Sequence, residues 1–285
     1  MVSEIWDFLK QAIGSFIEDD ALSRGAAIAF YTVTSIAPLL LIVIAIAGLV
    51  FSREAAQGAI TGQFSGMMGR QTAVVLEAAV ASASDTSAGA LATVIGIATL
   101  IATASGAFGE MQAALNVIWK AKPEGTTLSR LIRARAASLG LVATLGFLLV
   151  VSLAASAALT AFGDHLDRVL PSGKLVLSVV NFLISFGLIA TLFAAVYKVL
   201  PDRHLEWRDV LLGAGVTALL FVAGKSLIGW YIGSSGIAST YGAAGSLIVL
   251  LLWVYYSVQI FLLGAEITKV FANRHGSKTA EPVEG

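Results

Sequence analysis

One stretch of the chain decides the fold, and it reads Ala37-Pro-Leu-Leu-Leu-Ile-Val-Ile-Ala-Ile-Ala-Gly-Leu-Val-Phe51. A helix in a water-soluble bundle keeps a polar stripe toward water, and this run has none. Strands of a membrane barrel alternate apolar and polar residues with a period of two, and this run does not alternate. The stretch therefore predicts a helix surrounded by lipid.

The composition of the whole chain agrees with this prediction. Of 285 residues, 57% are hydrophobic and only 13% are charged, whereas soluble domains carry about a quarter charged residues. Eighteen basic residues balance eighteen acidic ones, so there is no basic excess of the kind that binds nucleic acid. The chain has no cysteine, which excludes disulfides, thiolate metal sites and cysteine nucleophiles.

Long uncharged intervals divide the chain into membrane-crossing segments. A helix needs about 20 mostly apolar residues to cross the hydrocarbon core. The longest interval, 226–265, contains Gly233-Ser-Ser-Gly236, which marks a turn and splits it in two. We therefore expect an all-α polytopic membrane protein with six transmembrane helices, near residues 26–51, 88–110, 136–162, 175–198, 209–232 and 243–270.

Lysine and arginine in the loops set the expected orientation. With both termini in the cytoplasm, thirteen of the eighteen basic residues lie inside, and only Arg53, Arg70, Arg168 and Lys174 lie outside. Lys225 is the remaining one, within the fifth helix. The bias predicts a multi-pass protein of the bacterial inner membrane with both termini cytoplasmic.

Three parts of the chain are predicted to differ in character. Residues 1–24 carry apolar side chains at helical spacing, which indicates an amphipathic helix on the inner surface or one packed over the end of the bundle. Residues 25–272 form the transmembrane domain, whose first outer loop (53–85) is predicted to hold amphipathic helices. Residues 273–285 are a polar tail that we expect to be flexible.

Several ordered motifs resemble a known family. They are Ala27-Ile-Ala-Phe-Tyr31, Ser35-Ile-Ala-Pro-Leu39, Gly106-Ala-Phe-Gly-Glu-Met-Gln-Ala-Ala-Leu-Asn-Val-Ile-Trp119, Tyr241-Gly-Ala-Ala-Gly245, Trp253-Val-Tyr-Tyr256 and Leu263-Gly-Ala-Glu266. With the Leu200-Pro201 step they resemble the YihY/BrkB family over roughly residues 5–272. The resemblance implies a six-helix membrane protein. The family formerly carried a ribonuclease BN label, and some members are associated with virulence or envelope lipid traffic.

The residues argue against the nuclease label. A metal-dependent nuclease needs a cluster of His, Asp or Glu ligands beside an accessible phosphate site, and no loop sequence contains one. We expect no metal, no cofactor, no catalytic residue and no nucleic-acid partner, so the protein is predicted not to be an enzyme.

Lys225 is the most informative charge, because a cation deep in the bilayer is costly and needs an explanation. It follows fifteen uncharged residues after Asp209. One interpretation is a cation that faces a cavity and receives an anionic group such as a headgroup phosphate. The other is a lysine that snorkels to the outer interface beside Trp230 and Tyr231.

Other polar residues are predicted near the inner ends of helices. Glu110 and Glu266 lie at comparable depth to Arg24, which can pair with either as a charged gate or as a static ion pair. Asn116 and Gln112 follow Glu110 on the same helix and are expected to extend this network or to bond between helices.

Helix one and helix six carry two further candidate features. Pro38 removes a backbone donor and is expected to bend helix one, with nearby hydroxyls satisfying the break. Trp253, Tyr255 and Tyr256 lie deeper than an interfacial belt and predict a polar cavity or an interhelical hydrogen bond.

Two classes of function stay open. The first is a translocator or transporter of a lipid or other amphiphile, and the second is a non-catalytic scaffold or envelope assembly factor. The expected partners are membrane lipids, with a homo-oligomer or envelope proteins as further candidates. The scaffold is expected to tolerate loss of Lys225 and Glu266, and the translocator is not.

Overall fold

All regular structure in the described part of the chain is helical. The computed structural model describes residues 2–47, 52–68, 73–78, 80, 106–121, 144, 147, 148, 151, 173–235 and 242–276. The prediction of an all-α fold is confirmed for these residues. The helices are α1 Val2–Glu18, α2 Ala21–Ala47, α3 Arg53–Met68, α4 over residues 106–118, α5 Gly173–Val199, α6 Trp207–Ser235 and α7 Gly242–Arg274.

Three of these helices are long and apolar enough to cross a membrane. Their apolar windows are Phe182–Val199 in α5, Trp207–Ile232 in α6 and Ala244–Arg274 in α7. They correspond to the predicted segments 175–198, 209–232 and 243–270. Most of the predicted helices 88–110 and 136–162 lies outside the described residues, so the expected number of six stays a prediction.

Two helix ends differ from the sequence prediction. The first break comes at Asp19-Asp20 and not near residue 25, because Asp20 adopts a left-handed backbone (φ 53°) that ends α1 and lets α2 begin at Ala21. The last helix runs to Arg274, so the first two residues of the expected flexible tail are helical. The rest of that tail, 277–285, lies outside the described residues.

Reciprocal contacts between glycine and threonine join α6 to α7. Thr268 packs directly over Gly213, and Thr217 packs over Gly264. Each threonine hydroxyl donates to the glycine carbonyl one turn earlier on its own helix, at 2.7 Å for Thr217 and 2.6 Å for Thr268. The missing side chains let two antiparallel helices approach closely, as small residues do in membrane bundles.

A column of aromatic rings fills the core between α5, α6 and α7. Tyr197, Phe261 and Phe193 stack with centroids 5.2–6.3 Å apart, and Phe221 meets Phe193 and Trp253 edge to face at 5.8 and 6.0 Å. The Tyr197 hydroxyl donates to the Phe261 carbonyl at 2.6 Å. This column fixes the rotation of the three helices relative to one another.

Helix α1 has three distinct sides. Ala12 is buried against Ile267 and Val270 of α7, with Phe8 packed beside it. The next side carries exposed apolar residues, and the remaining side is polar. The exposed apolar residues are Ile5, Trp6, Leu9, Ile13 and Ile17.

Candidate functional site

A buried ion cluster joins α7 to the turn between α1 and α2. The Lys269 ammonium lies 3.1 Å from Asp19 Oδ2 and 3.2 Å from Glu266 Oε2. The Glu266 side chain is fully buried, whereas those of Lys269 and Asp19 are 14% and 16% exposed. One cation therefore serves two carboxylates.

The expected pairing of Arg24 is wrong. Its Nε donates to the backbone carbonyl of Asp19 at 3.0 Å, and no described ion pair or hydrogen bond joins it to Glu110 or Glu266. Lys269 takes that position because it lies three residues after Glu266 on the same helix, within reach of its side chain. Arg24 instead holds the turn that carries Asp19.

A second polar cluster connects α4 to the loop between α5 and α6. Asn116 Nδ2 donates to Asp202 Oδ2 at 2.9 Å, and the Asp202 backbone N–H donates back to Asn116 Oδ1 at 2.8 Å. Gln112 Nε2 adds a bond of 3.2 Å to Asp202 Oδ1. The expectation that Asn116 and Gln112 extend a network around Glu110 is therefore wrong, because Asp202 is their partner. The alternative prediction, a hydrogen bond between helices, does not describe these contacts either, because Asp202 lies in the loop between α5 and α6.

The end of α4 is closed by its own backbone and by Arg203. Lys120 has a left-handed backbone (φ 47°), and the bonds from Lys120 N to Val117 O and from Ala121 N to Asn116 O are those of a helix C-cap. Arg203 Nη1 donates to the Trp119 carbonyl at 2.7 Å. Both clusters lie at the same end of the bundle as the α1–α2 turn, and we call this the charged end.

Lys225 lies on the inward side of α6. At 3.6 residues per turn, its direction is within about 20° of Ala218 and Ile232, which are buried, and about 160° from Leu227, which is 64% exposed. It makes no hydrogen bond or ion pair with any residue of the described chain. The Lys225 side chain itself is half-buried.

The aromatic residues of α7 lie beside Lys225 in the fold. The Tyr256 hydroxyl packs against Gly224, where an added Cβ would meet it at 2.6 Å, and Trp253 contacts Phe221 one turn before Lys225. Trp253 Nε1 is buried without a hydrogen-bond partner among the described residues. Tyr255 is half-buried against the same core. The interhelical hydrogen bond that is one expectation for these three side chains is not formed within the described chain.

Helix α2 continues through position 38, where the sequence predicts a bend. The Ser35 hydroxyl donates to the Tyr31 carbonyl at 2.8 Å, and that of Thr34 donates to Phe30 and Tyr31 at 3.0 Å each. These hydroxyls bond to the preceding turn and not to the carbonyl that Pro38 leaves without a donor. The expectation that they satisfy the break is wrong.

Sequence reasoning missed four residues that organise these sites. Asp19, Lys269, Asp202 and Tyr197 each bond to a residue distant in the chain or central to the core. Two local signals could have identified Asp19 and Lys269. One is the acidic pair Asp19-Asp20 directly before an apolar run, and the other is the position of Lys269 three residues after Glu266.

Comparison with known proteins defines the class. The family described as Virulence factor BrkB matches residues 12–284, so this is a membrane protein with apolar helices that belongs to the BrkB family. A UPF0761 membrane protein of Mannheimia succiniciproducens is 27% identical over 271 residues, 93% of this chain and 90% of the relative. A Yersinia pestis relative is 33% identical over 66% of this chain and 63% of its own length.

A third relative shows how uneven the coverage is. A UPF0761 membrane protein of Tolumonas auensis is 39% identical over 105 residues, 36% of this chain and only 33% of the relative. The printed names of these relatives state that they are membrane proteins and give no activity. No solved structure matches the chain.

Proposed function

We propose that this protein translocates a lipid or other amphiphile across a bacterial inner membrane, with the anionic headgroup meeting Lys225 inside the bundle. The observation that carries the proposal is a lysine on the buried side of an apolar helix, without a partner in the described chain. A cation in that position is costly unless an anion or water meets it. Phosphate and carboxylate groups are the anions that an ammonium binds with charge-assisted bonds.

Two neighbouring donors support an anionic ligand. Trp253 Nε1 is buried without a partner in the described chain, and the Tyr256 hydroxyl lies against Gly224, the residue before Lys225. An indole N–H only donates, and a tyrosine hydroxyl both donates and accepts. The Trp253 and Tyr256 groups are donors of the kind that bind the acceptor oxygens of a phosphate.

The arrangement in the membrane is part of the same proposal. We infer six transmembrane helices with both termini in the cytoplasm, so the charged end faces the cytoplasm. In this orientation the exposed apolar side of α1 lies in the inner lipid interface, because it borders the side that packs on α7 and lies opposite the polar side. The protein then acts as a non-catalytic carrier with membrane lipids as its partners.

The test is lipid translocation by the purified protein in liposomes. A fluorescent headgroup lipid is followed by its loss of signal to an impermeant quencher, in wild type and in Lys225→Met. Losing a charge-assisted bond of about 1.5–3 kcal/mol lowers the rate roughly 10- to 150-fold. Lys10→Met, which removes an exposed lysine of α1, is the matched control and keeps the wild-type rate.

Two results would count against translocation. Wild type that moves no lipid above protein-free liposomes, with and without an ion gradient, favours the scaffold or assembly factor. Equal rates in wild type and Lys225→Met, with both proteins folded, would remove Lys225 from the path even if lipid moves.

A further inference from the structure

The buried cluster of Asp19, Glu266 and Lys269 holds more acid than base. When both carboxylates are ionised, one ammonium at 3.1 and 3.2 Å faces two negative charges. Glu266 has no solvent exposure, so water does not offset the excess charge. A buried charge without compensation is strongly unfavourable, and such groups usually become neutral instead.

One oxygen of this cluster has a vacant bonding position. Glu266 Oε2 accepts from Lys269, whereas Glu266 Oε1 is buried and has no hydrogen-bond partner among the described residues. Asp19 Oδ2 and Glu266 Oε2 both lie within 3.2 Å of the same Lys269 ammonium, so the two carboxyl groups face one another across it. Ionised carboxylates only accept hydrogen bonds, so a bond between these two groups requires one proton.

The other charged groups around the cluster do not neutralise its excess negative charge. Arg24 of α2 uses its Nε on the backbone carbonyl of Asp19, and Asp20 accepts from the Ser23 hydroxyl at 2.9 Å. Glu18 at the end of α1 is exposed. On α6, Gly213 and Thr217 contact this part of α7 and carry no titratable group. The buried Asp209 of α6 contacts Gly276 just beyond the end of α7, and a carboxyl group there cannot offset an excess of negative charge.

We propose that Asp19 and Glu266 together bind one exchangeable proton at the charged end of the bundle. The proton bridges the two carboxyl groups, while Lys269 balances the single negative charge that is left. Because Asp19 belongs to the α1–α2 turn and Glu266 to α7, binding and release of the proton change the attraction between these elements. The binding of this proton is independent of the proposed function. A role of the proton in transport, in contrast, rests on the proposed function.

Infrared spectroscopy of the full chain in nanodiscs tests the binding directly. The carbonyl band of a protonated carboxyl is followed from about pH 6.5 to pH 9, where an ordinary carboxylate is already ionised. Wild type is expected to show a band with the intensity of one protonated carboxyl group. Glu266→Gln and Asp19→Asn each lose it, because Lys269 fully balances the single carboxylate that remains.

Control variants make the result specific. Glu18→Gln removes an exposed carboxylate next to Asp19 and keeps the band. Lys269→Met removes the competing cation, so the band persists to higher pH than in wild type. Asp19→Asn changes a partly exposed side chain, so it is expected to fold. The loss of the band can therefore be measured in this variant even if Glu266→Gln does not fold.

The outcomes separate this inference from the proposed function. Wild type without the band, or a band that survives both Glu266→Gln and Asp19→Asn, overturns the proton site. A wild-type band that both variants lose supports it even where liposomes show no lipid movement, and that second result counts only against translocation.

Discussion

Replacing Gly213 with alanine tests the helix crossing that positions both sites. The added Cβ would lie 2.7 Å from Thr268 Cβ and 2.8 Å from Thr268 Cγ2, closer than carbon atoms approach. Thr268 is fully buried and its hydroxyl is bonded to the Gly264 carbonyl, so rotation of the side chain breaks that bond. Overpacking of this kind costs about 1–3 kcal/mol.

The matched control is Gly215→Ala on the same helix. A Cβ at Gly215 meets nothing within 4 Å, so this variant gains the helix propensity of alanine without the clash. The difference between the two variants isolates the clash at the crossing. We expect Gly213→Ala to be about 1–3 kcal/mol less stable than Gly215→Ala, or roughly 5- to 150-fold in the unfolding equilibrium.

The assay is the free energy of unfolding in mixed micelles titrated with a denaturing detergent, followed by helical circular dichroism. Wild type, Gly213→Ala and Gly215→Ala are measured under the same conditions. Equal stability of the two variants would refute the crossing, because it would mean that Thr268 does not pack on Gly213.

Three further predictions follow from other contacts. Tyr197→Phe removes the hydroxyl that serves the Phe261 carbonyl and lowers the unfolding free energy by about 1 kcal/mol; an unchanged value would contradict that bond. Asn116→Ala and Asp202→Ala, combined in a double-mutant cycle, are expected to couple by about 0.5–3 kcal/mol, and strictly additive losses would show that the two residues act independently. Phe8→Ala, which loses packing on α7, is expected to destabilise more than Trp6→Ala, whose side chain is 64% exposed; the reverse order in the same assay would refute the assignment of the sides of α1.

Local sequence patterns were sufficient for the three helices that the structure describes from residue 173 onward. Apolar runs bounded by charges predict 175–198, 209–232 and 243–270, and the structure has Gly173–Val199, Trp207–Ser235 and Gly242–Arg274. The differences are a few residues because charged and turn residues mark where an apolar helix ends. The break at Asp19-Asp20 was missed because the boundary near residue 25 follows the start of the uncharged interval, whereas the acidic pair that marks the turn lies five residues earlier.

The partners of the polar residues were not predictable in the same way. Glu266 was singled out from the sequence as a costly charge, but Lys269 links it to Asp19, which lies 250 residues before Lys269 in the chain. Such a pairing depends on the rotation of each helix, which the stacked rings of Tyr197 and Phe261 and the close approach at Gly213 determine. A hydrophobicity pattern carries no information about these contacts.

The direction of Lys225 on its helix was also not predictable from hydrophobicity. From the sequence, snorkelling and a cavity-facing position are both consistent with its depth. The structure adds its direction on α6, which matches buried Ala218 and opposes exposed Leu227. Both interpretations stay open, and the proposed function depends on this direction of Lys225.

The most direct test of that claim is the accessibility of position 225 to an anionic, membrane-impermeant thiol reagent. The chain has no cysteine, so Lys225→Cys and Leu227→Cys provide single labelling sites without background. We predict that position 225 reacts, that added anionic lipid slows the reaction, and that the lipid-facing position 227 stays unreactive. An unreactive position 225, or equal labelling at both positions, would contradict an anion-accessible interior at Lys225.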